Sequence, residues 1–132
     1  MRTVLLFTLL SAMAVGLAQE DPKVSTMDFV QVLNGNKAEA LFYYVNNWKV
    51  LRENALEKGF IHSYQLLETP RGEGEPFELL LITTYKNQKE YERSEERFDV
   101  LIAEKGPLHL MNGKKPGEFR KVLFSKLATQ VF

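Results

Sequence analysis

FIHSYQLLETPRGEGEPFELLLITTY, residues 60–85, holds two strand-like runs, Phe60–Glu68 and Phe77–Tyr85, on either side of a Pro-, Gly- and charge-rich TPRGEGEP loop. Runs of this β-branched and aromatic content around one polar loop pair as a hairpin. Side chains alternate along a strand, so the first run offers Phe60, His62, Tyr64 and Leu66 to one side and Ile61, Ser63, Gln65 and Leu67 to the other. The second gives Phe77, Leu79, Leu81, Thr83 and Tyr85 against Glu78, Leu80, Ile82 and Thr84. Neither side alternates sharply with charge, as a face in water would. Both faces of the sheet therefore need cover.

Working outward toward the N-terminus, TMDFVQVL (26–33) reads as a strand that stops at Asn34-Gly35. Asn36 and Glu39 have capping-box spacing and predict a helix start. Leu41, Tyr44, Val45, Trp48, Leu51, Arg52 and Ala55 then recur at three- and four-residue steps on one face, with Asn46 and Asn47 expected toward solvent or the helix flank, and Gly59 ending the helix. Toward the C-terminus, Asn87 and Glu90 repeat the capping-box spacing. Tyr91, Ser94, Phe98, Leu101 and Ile102 form the second stripe, while ERSEER (92–97) stays outside as a solvated face. Gly106-Pro107 stops this helix, residues 108–120 read as loop, and KVLFSKLA (121–128) reads as the last strand.

The order βαββαβ predicts an α+β ferredoxin-like plait: a four-stranded antiparallel sheet with both helices on one face, because right-handed crossovers place them there. The helices cover only one side. A second copy of the chain is the economical cover for the other, so a homodimer is expected.

Composition sets the remaining bounds. With 132 residues, 17 basic against 17 acidic groups, 45% hydrophobic content and no cysteine, this is one globular domain without disulfide or thiolate chemistry. Zero net charge provides no basic field for nucleic acid. Arg2 followed by the uncharged VLLFTLLSAMAVGLA (4–18) has the layout of a secretory signal peptide with cleavage after Ala18. That run is too short for a membrane anchor, so the mature chain is expected to be secreted or periplasmic. Residues 19–25 read as a flexible leader and 26–132 as the folded domain.

The element order, the doubly apolar sheet, the helix FYYVNNWKVLRENALEKG (42–59) running into FIHSYQLLE (60–68), and the acidic-aromatic second helix resemble the dimeric α/β-barrel superfamily over residues 26–128. That superfamily includes antibiotic-biosynthesis monooxygenases, haem-degrading enzymes, isomerases and many small proteins of unknown role. The resemblance implies two sheets closing into a barrel across a dimer, with a ligand between sheet and helices or loops. The first strand lacks the asparagine that the haem-degrading branch typically carries there.

Candidate site residues follow from chemistry and position. His62 beside Tyr64 offers an acid–base pair or a haem ligand, or is a strand histidine bonded to a carbonyl. His109 lies in a loop able to fold over a pocket mouth, or is plain surface. Tyr44 and Trp48 orient an electron-rich ligand or are core, and Arg52 on the same stripe snorkels outward or reaches an acceptor such as Asp28. Tyr85 joins Tyr44, Trp48, Arg52 and His109 in the expected ligand pocket. Two histidines without HxxxH spacing make no dedicated zinc or copper site, GEGEP lacks the helix of a phosphate loop, and no nucleophile elbow occurs. Together these features favour a pocket for a small apolar or aromatic ligand, with no required cofactor. The alternatives are a cofactor-independent monooxygenase-like enzyme using His62 and Tyr64, a haem-binding protein using His62 or His109, and a purely structural dimer.

Overall fold

A computed structural model describes residues 20–132, and the expected signal peptide, 1–18, lies outside the described residues. Its elements are β1 (Val24–Val32); a long helix in three parts, α1 (Lys37–Tyr43), a π-helical turn (Tyr44–Trp48) and α2 (Lys49–Glu57); then β2 (Ser63–Glu68) and β3 (Leu79–Tyr85). They continue with α3 (Gln88–Glu92), α4 (Ser94–Lys105), α5 (Pro116–Phe119) and β4 (Arg120–Thr129). The strands form one antiparallel sheet in the order β2-β3-β1-β4.

The breaks fall where the sequence places them, with a few shifts. Gly59 adopts φ +74° and Gly106 φ +80°, backbone that a side chain disfavours, and each ends its helix. β2 begins at Ser63 rather than Phe60, because Ile61 drops into the core, where it is buried with Ala55, Tyr85 and Leu101. The second helix is divided at Arg93. Residues 116–119, expected as loop, form the short α5, whose Phe119 is fully buried.

The two capping boxes behave differently. Asn87 Oδ1 accepts from Glu90 N at 2.9 Å, as expected of an N-cap. Asn36 makes no such bond: its Oδ1 accepts from Lys114 Nζ at 2.6 Å and its amide donates to Glu118 O at 3.0 Å. Glu39 is buried and accepts from Asn112 at 3.0 Å, so tertiary partners, led by Asn112, hold its carboxyl below the usual range. Tertiary contacts have replaced the local cap.

Register assigns the two faces. Val24, Thr26, Asp28 and Val30 stand opposite Tyr85, Thr83, Leu81 and Leu79 on the helix-covered side. There Val30, Val32, Leu79 and Leu81 pack with Ala40, Tyr44 and Phe119. The other side pairs Met27 with Ile82 and Phe29 with Leu80, and stacks Phe29 on Phe124 at 4.5 Å. Alternate residues of β3 are fully buried and only half-buried, since the helices cover one side of it. Leu67 and Phe124 on the uncovered side remain 41% and 45% exposed. An apolar sheet face therefore stands open in a single chain.

Candidate functional site

The π-helical turn positions the candidate site. Asn46 and Asn47 each turn their amide back to the carbonyl four residues behind, Phe42 O and Tyr43 O, both at 2.8 Å. Such side-chain donors compete with the backbone N–H groups for those carbonyls and loosen the ladder, one of the recognised causes of a π turn. Asn47 is 3% exposed, contrary to the expectation that it faces solvent or the helix flank. It is also fully engaged: its amide donates to His109 O, and its Oδ1 accepts from His109 N and from Lys105 Nζ, at 2.8, 2.8 and 2.7 Å. Burial of an amide demands this degree of pairing.

Asn47 thereby fastens the 106–109 loop over a cavity of about 200 Å³ lined by Tyr43, Tyr44, Asn47, Trp48, Leu51, Ile102, Lys105, Gly106 and Leu108. The lining is aromatic and aliphatic except for the Asn47 amide and the Lys105 ammonium. Lys105 uses two of its three donors, on Asn47 Oδ1 and Pro107 O, and among the described residues no carboxylate forms an ion pair with it. Burial raises the Tyr44 phenol, so this wall stays neutral.

Beyond Trp48, α2 lays Arg52 over the sheet. Its Nε donates to Thr83 Oγ1 at 3.1 Å, while its guanidinium lies 4.8 Å from the Trp48 ring centroid and 4.4 Å from that of Phe98. Asp28, the acceptor suggested by the sequence, is instead engaged by Ser125 Oγ at 2.5 Å. Desolvation lowers the Arg52 guanidinium to about 10, with Tyr85 and Asp28 pulling the other way, and it stays charged at neutral pH.

The remaining candidates separate. Tyr64 packs edge-on against Trp48 at 5.8 Å, and Tyr85 is buried against Tyr91 at 5.5 Å, where desolvation raises its phenol. His62 precedes β2, is exposed, and donates its backbone N–H to Thr84 O at 2.7 Å. It borders a surface depression with Lys86 and Asn87 and is not grouped with Tyr64. His109 is held over the cavity by its backbone while its side chain is exposed, and neither histidine lines the cavity. Tyr44 and Trp48 are thus brought together with the His109 loop, and Arg52 with Tyr64 and Tyr85 lies on the other side of Trp48.

Asn47 and Lys105 were not among the expected site residues. A signal for Asn47 exists in its spacing, three residues after Tyr44 and four before Leu51, which puts it on the apolar stripe despite its polarity. Its partners, 58 and 62 residues away, are invisible locally.

No protein family and no curated protein matches the chain. Among solved structures, HapK from Hahella chejuensis matches with a TM-score of 0.50 at 9% identity, over 82% of this chain and 92% of that one. The fold of the present chain, a four-stranded antiparallel sheet with helices on one face, is ferredoxin-like. A second structure, a dimeric ferredoxin-like protein from an uncultured marine organism, matches with a TM-score of 0.48 at 13% identity, over 85% of this chain and 98% of the other. At such identities the likeness concerns the path of the chain, the βαββαβ order with its β2-β3-β1-β4 sheet, and leaves the pocket residues to be judged on their own chemistry.

Proposed function

We propose that the protein is an exported homodimer that holds a small apolar or aromatic molecule in the cavity between α1–α2 and α4. The observation that carries this reading is the lining: a space of about 200 Å³ walled by Tyr43, Tyr44, Trp48, Leu51 and Leu108, with Asn47 and Lys105 its only non-aromatic polar side chains. Ligand sites commonly combine an apolar wall with a few convergent polar groups that fix orientation. Here the apolar wall supplies affinity and the remaining N–H of Lys105, whose other two donors are held by Asn47 and Pro107, orients a hydroxyl or carbonyl of the ligand.

Trp48 is the chain's single tryptophan and lies in that wall, so its fluorescence reports occupancy without a label. Titration with 4-propylphenol, exciting at the red edge of the tryptophan band, is expected to give a saturable change in emission. Leu108→Phe, which fills the mouth, should abolish it. Linear, unsaturable quenching that is identical in the two proteins would overturn the reading.

Dimerisation is supported independently by the open apolar face around Met27, Phe29 and Ile82. Export is supported by the apolar run 4–18, and its mark is a mature protein outside the cytoplasm whose first residue is Gln19.

A further inference from the structure

Lys105 is the last residue of α4, and a lysine in a helix's final turn needs no ligand to explain it, since the carbonyl end of a helix favours positive charge. Its head group does more than that position requires. Nζ is fixed at 2.7 Å on Oδ1 of the buried Asn47 and at 3.3 Å on Pro107 O, so the half-buried side chain sets its ammonium in the cavity wall. Both acceptors are neutral. Lys37, Lys49, Lys58 and Lys114 each meet a glutamate, whereas Lys105 has no carboxylate partner among the described residues.

The cavity around it bears one positive charge and no negative one, because none of its nine lining residues is acidic. Four other hollows of the molecule differ in this respect: Glu20 and Asp21 line two of them, Glu96 a third and Asp28 the fourth. The Tyr44 phenol, raised by burial, supplies no counter-charge at neutral pH. Asn47 has no capacity left, since its amide and Oδ1 are engaged by Tyr43 O, His109 O, His109 N and Lys105. The third N–H of Lys105 is therefore the charged donor left for a guest. Against apolar walls, an anion meeting that ammonium is attracted several times more strongly than in water.

We propose that the ligand of this cavity is a monocarboxylic acid with one ring or a short aliphatic body, its carboxylate received by the third N–H of Lys105. This rests on the reading of the cavity as a ligand site and adds the charge and class of the molecule. A single ammonium balances a single negative charge, while the second charge of a phosphate would be left against Leu51, Ile102 and Trp48. An amino acid fits worse than a simple acid, because its own ammonium would find no carboxylate in the lining. The volume of about 200 Å³ suits a small body lying against the Tyr43, Tyr44 and Trp48 rings. Asn47 and Pro107 hold the ammonium in place before the acid arrives, so little side-chain freedom remains to be lost on binding.

4-Propylbenzoate is the probe, 4-propylbenzamide its neutral isostere and 4-propylphenol the neutral reference, each titrated into the whole mature protein by calorimetry with Trp48 emission followed in parallel. The benzoate is expected to bind saturably and about tenfold or more tightly than the benzamide. The Lys105 Cε–H signal in NMR should shift along the same isotherm, a readout that needs no variant. Lys105→Met keeps the unbranched stem without the charge and should erase the preference for benzoate over benzamide. Lys105→Arg keeps the charge and should retain it. The proposal is overturned if wild type binds the benzamide as tightly, if the Lys105 signal stays unmoved, or if Lys105→Met still prefers the benzoate. In each of those cases, saturable binding of 4-propylphenol that Leu108→Phe abolishes would leave the cavity itself standing as a ligand site. No saturable binding of any of the three, with Leu108→Phe matching wild type, would overturn both.

Discussion

At the scale of single residues, the chain invests in a few buried polar groups whose partners lie far along the sequence. Asn47 makes four hydrogen bonds, two to the loop at His109 O and His109 N, one to Lys105 Nζ at the end of α4 and one back to Tyr43 O of its own helix. Asn47→Ala strips two loop backbone groups of their partner at once, and should cost about 2 kcal/mol, since unsatisfied polar groups cost more than a hydrogen bond gains. Urea unfolding would show the loss, and faster amide exchange at His109 would localise it; a change below about 0.5 kcal/mol would contradict the clamp. Tyr44 adds a pH signature. Its phenol is raised above its ordinary value near 10 by burial, so the unfolded chain releases that proton first. Stability is whole below about pH 10 and falls as pH climbs through the interval above it. Arg52, lowered to about 10 by desolvation, acts with the opposite sign over the same alkaline interval, because there the unfolded chain binds more protons. Tyr44→Phe removes the phenol and leaves Arg52 in place. Calorimetric melts should then decline less steeply above about pH 10 than those of the wild type, and parallel slopes would remove Tyr44 from the account.

At the scale of elements, two helices begin with the same sequence signal and only one uses it. Asn87 accepts from Glu90 N, so Asn87→Ala should cost about 1 kcal/mol while Asn87→Ser, which can still cap, costs much less. Asn36 instead meets Lys114 and Glu118 across the fold, contacts that a serine is too short to reproduce, so Asn36→Ser should destabilise nearly as much as Asn36→Ala. Denaturant midpoints of the four variants test the contrast, and equal tolerance of serine at both sites would refute it. The same contrast explains what was legible in advance. The three-and-four-residue stripe through Leu41, Tyr44 and Ala55, the stop at Gly59 and the hairpin of β2 with β3 are local or periodic, and the sequence displays them directly. The clamp by Asn47, the diversion of Asn36 and Glu39, and the burial of Phe119 in α5 depend on segments 58 to 86 residues distant, and no period in the chain encodes such pairings.

At the scale of the whole molecule, a sheet with a helix layer on only one side governs assembly. Met27, Phe29, Leu80 and Ile82 form the middle of the uncovered face, flanked by Leu67 on β2 and Phe124 on β4. That face was readable in the LLLI run of β3, since four successive apolar residues leave neither side of a strand for water. Two such faces can pack about 10 Å apart, removing the half-exposed rings and aliphatic chains of both copies from water, and stable pairs of this kind bury roughly 800 Å² on each partner. Charge at the centre is the sharpest probe. Ile82→Glu places a carboxylate opposite its own symmetry mate or an apolar partner, and burying it unpaired costs several kcal/mol, more than most single contacts return. Glu53→Lys, on the exposed side of α2, serves as the control for charge alone. Sedimentation equilibrium at micromolar concentration should give twice the chain mass for the wild type and for Glu53→Lys, and the single mass for Ile82→Glu with its helical signal intact. A wild type that stays single at that concentration, or an Ile82→Glu protein that still pairs, would mean that the open face is covered by something other than its own copy.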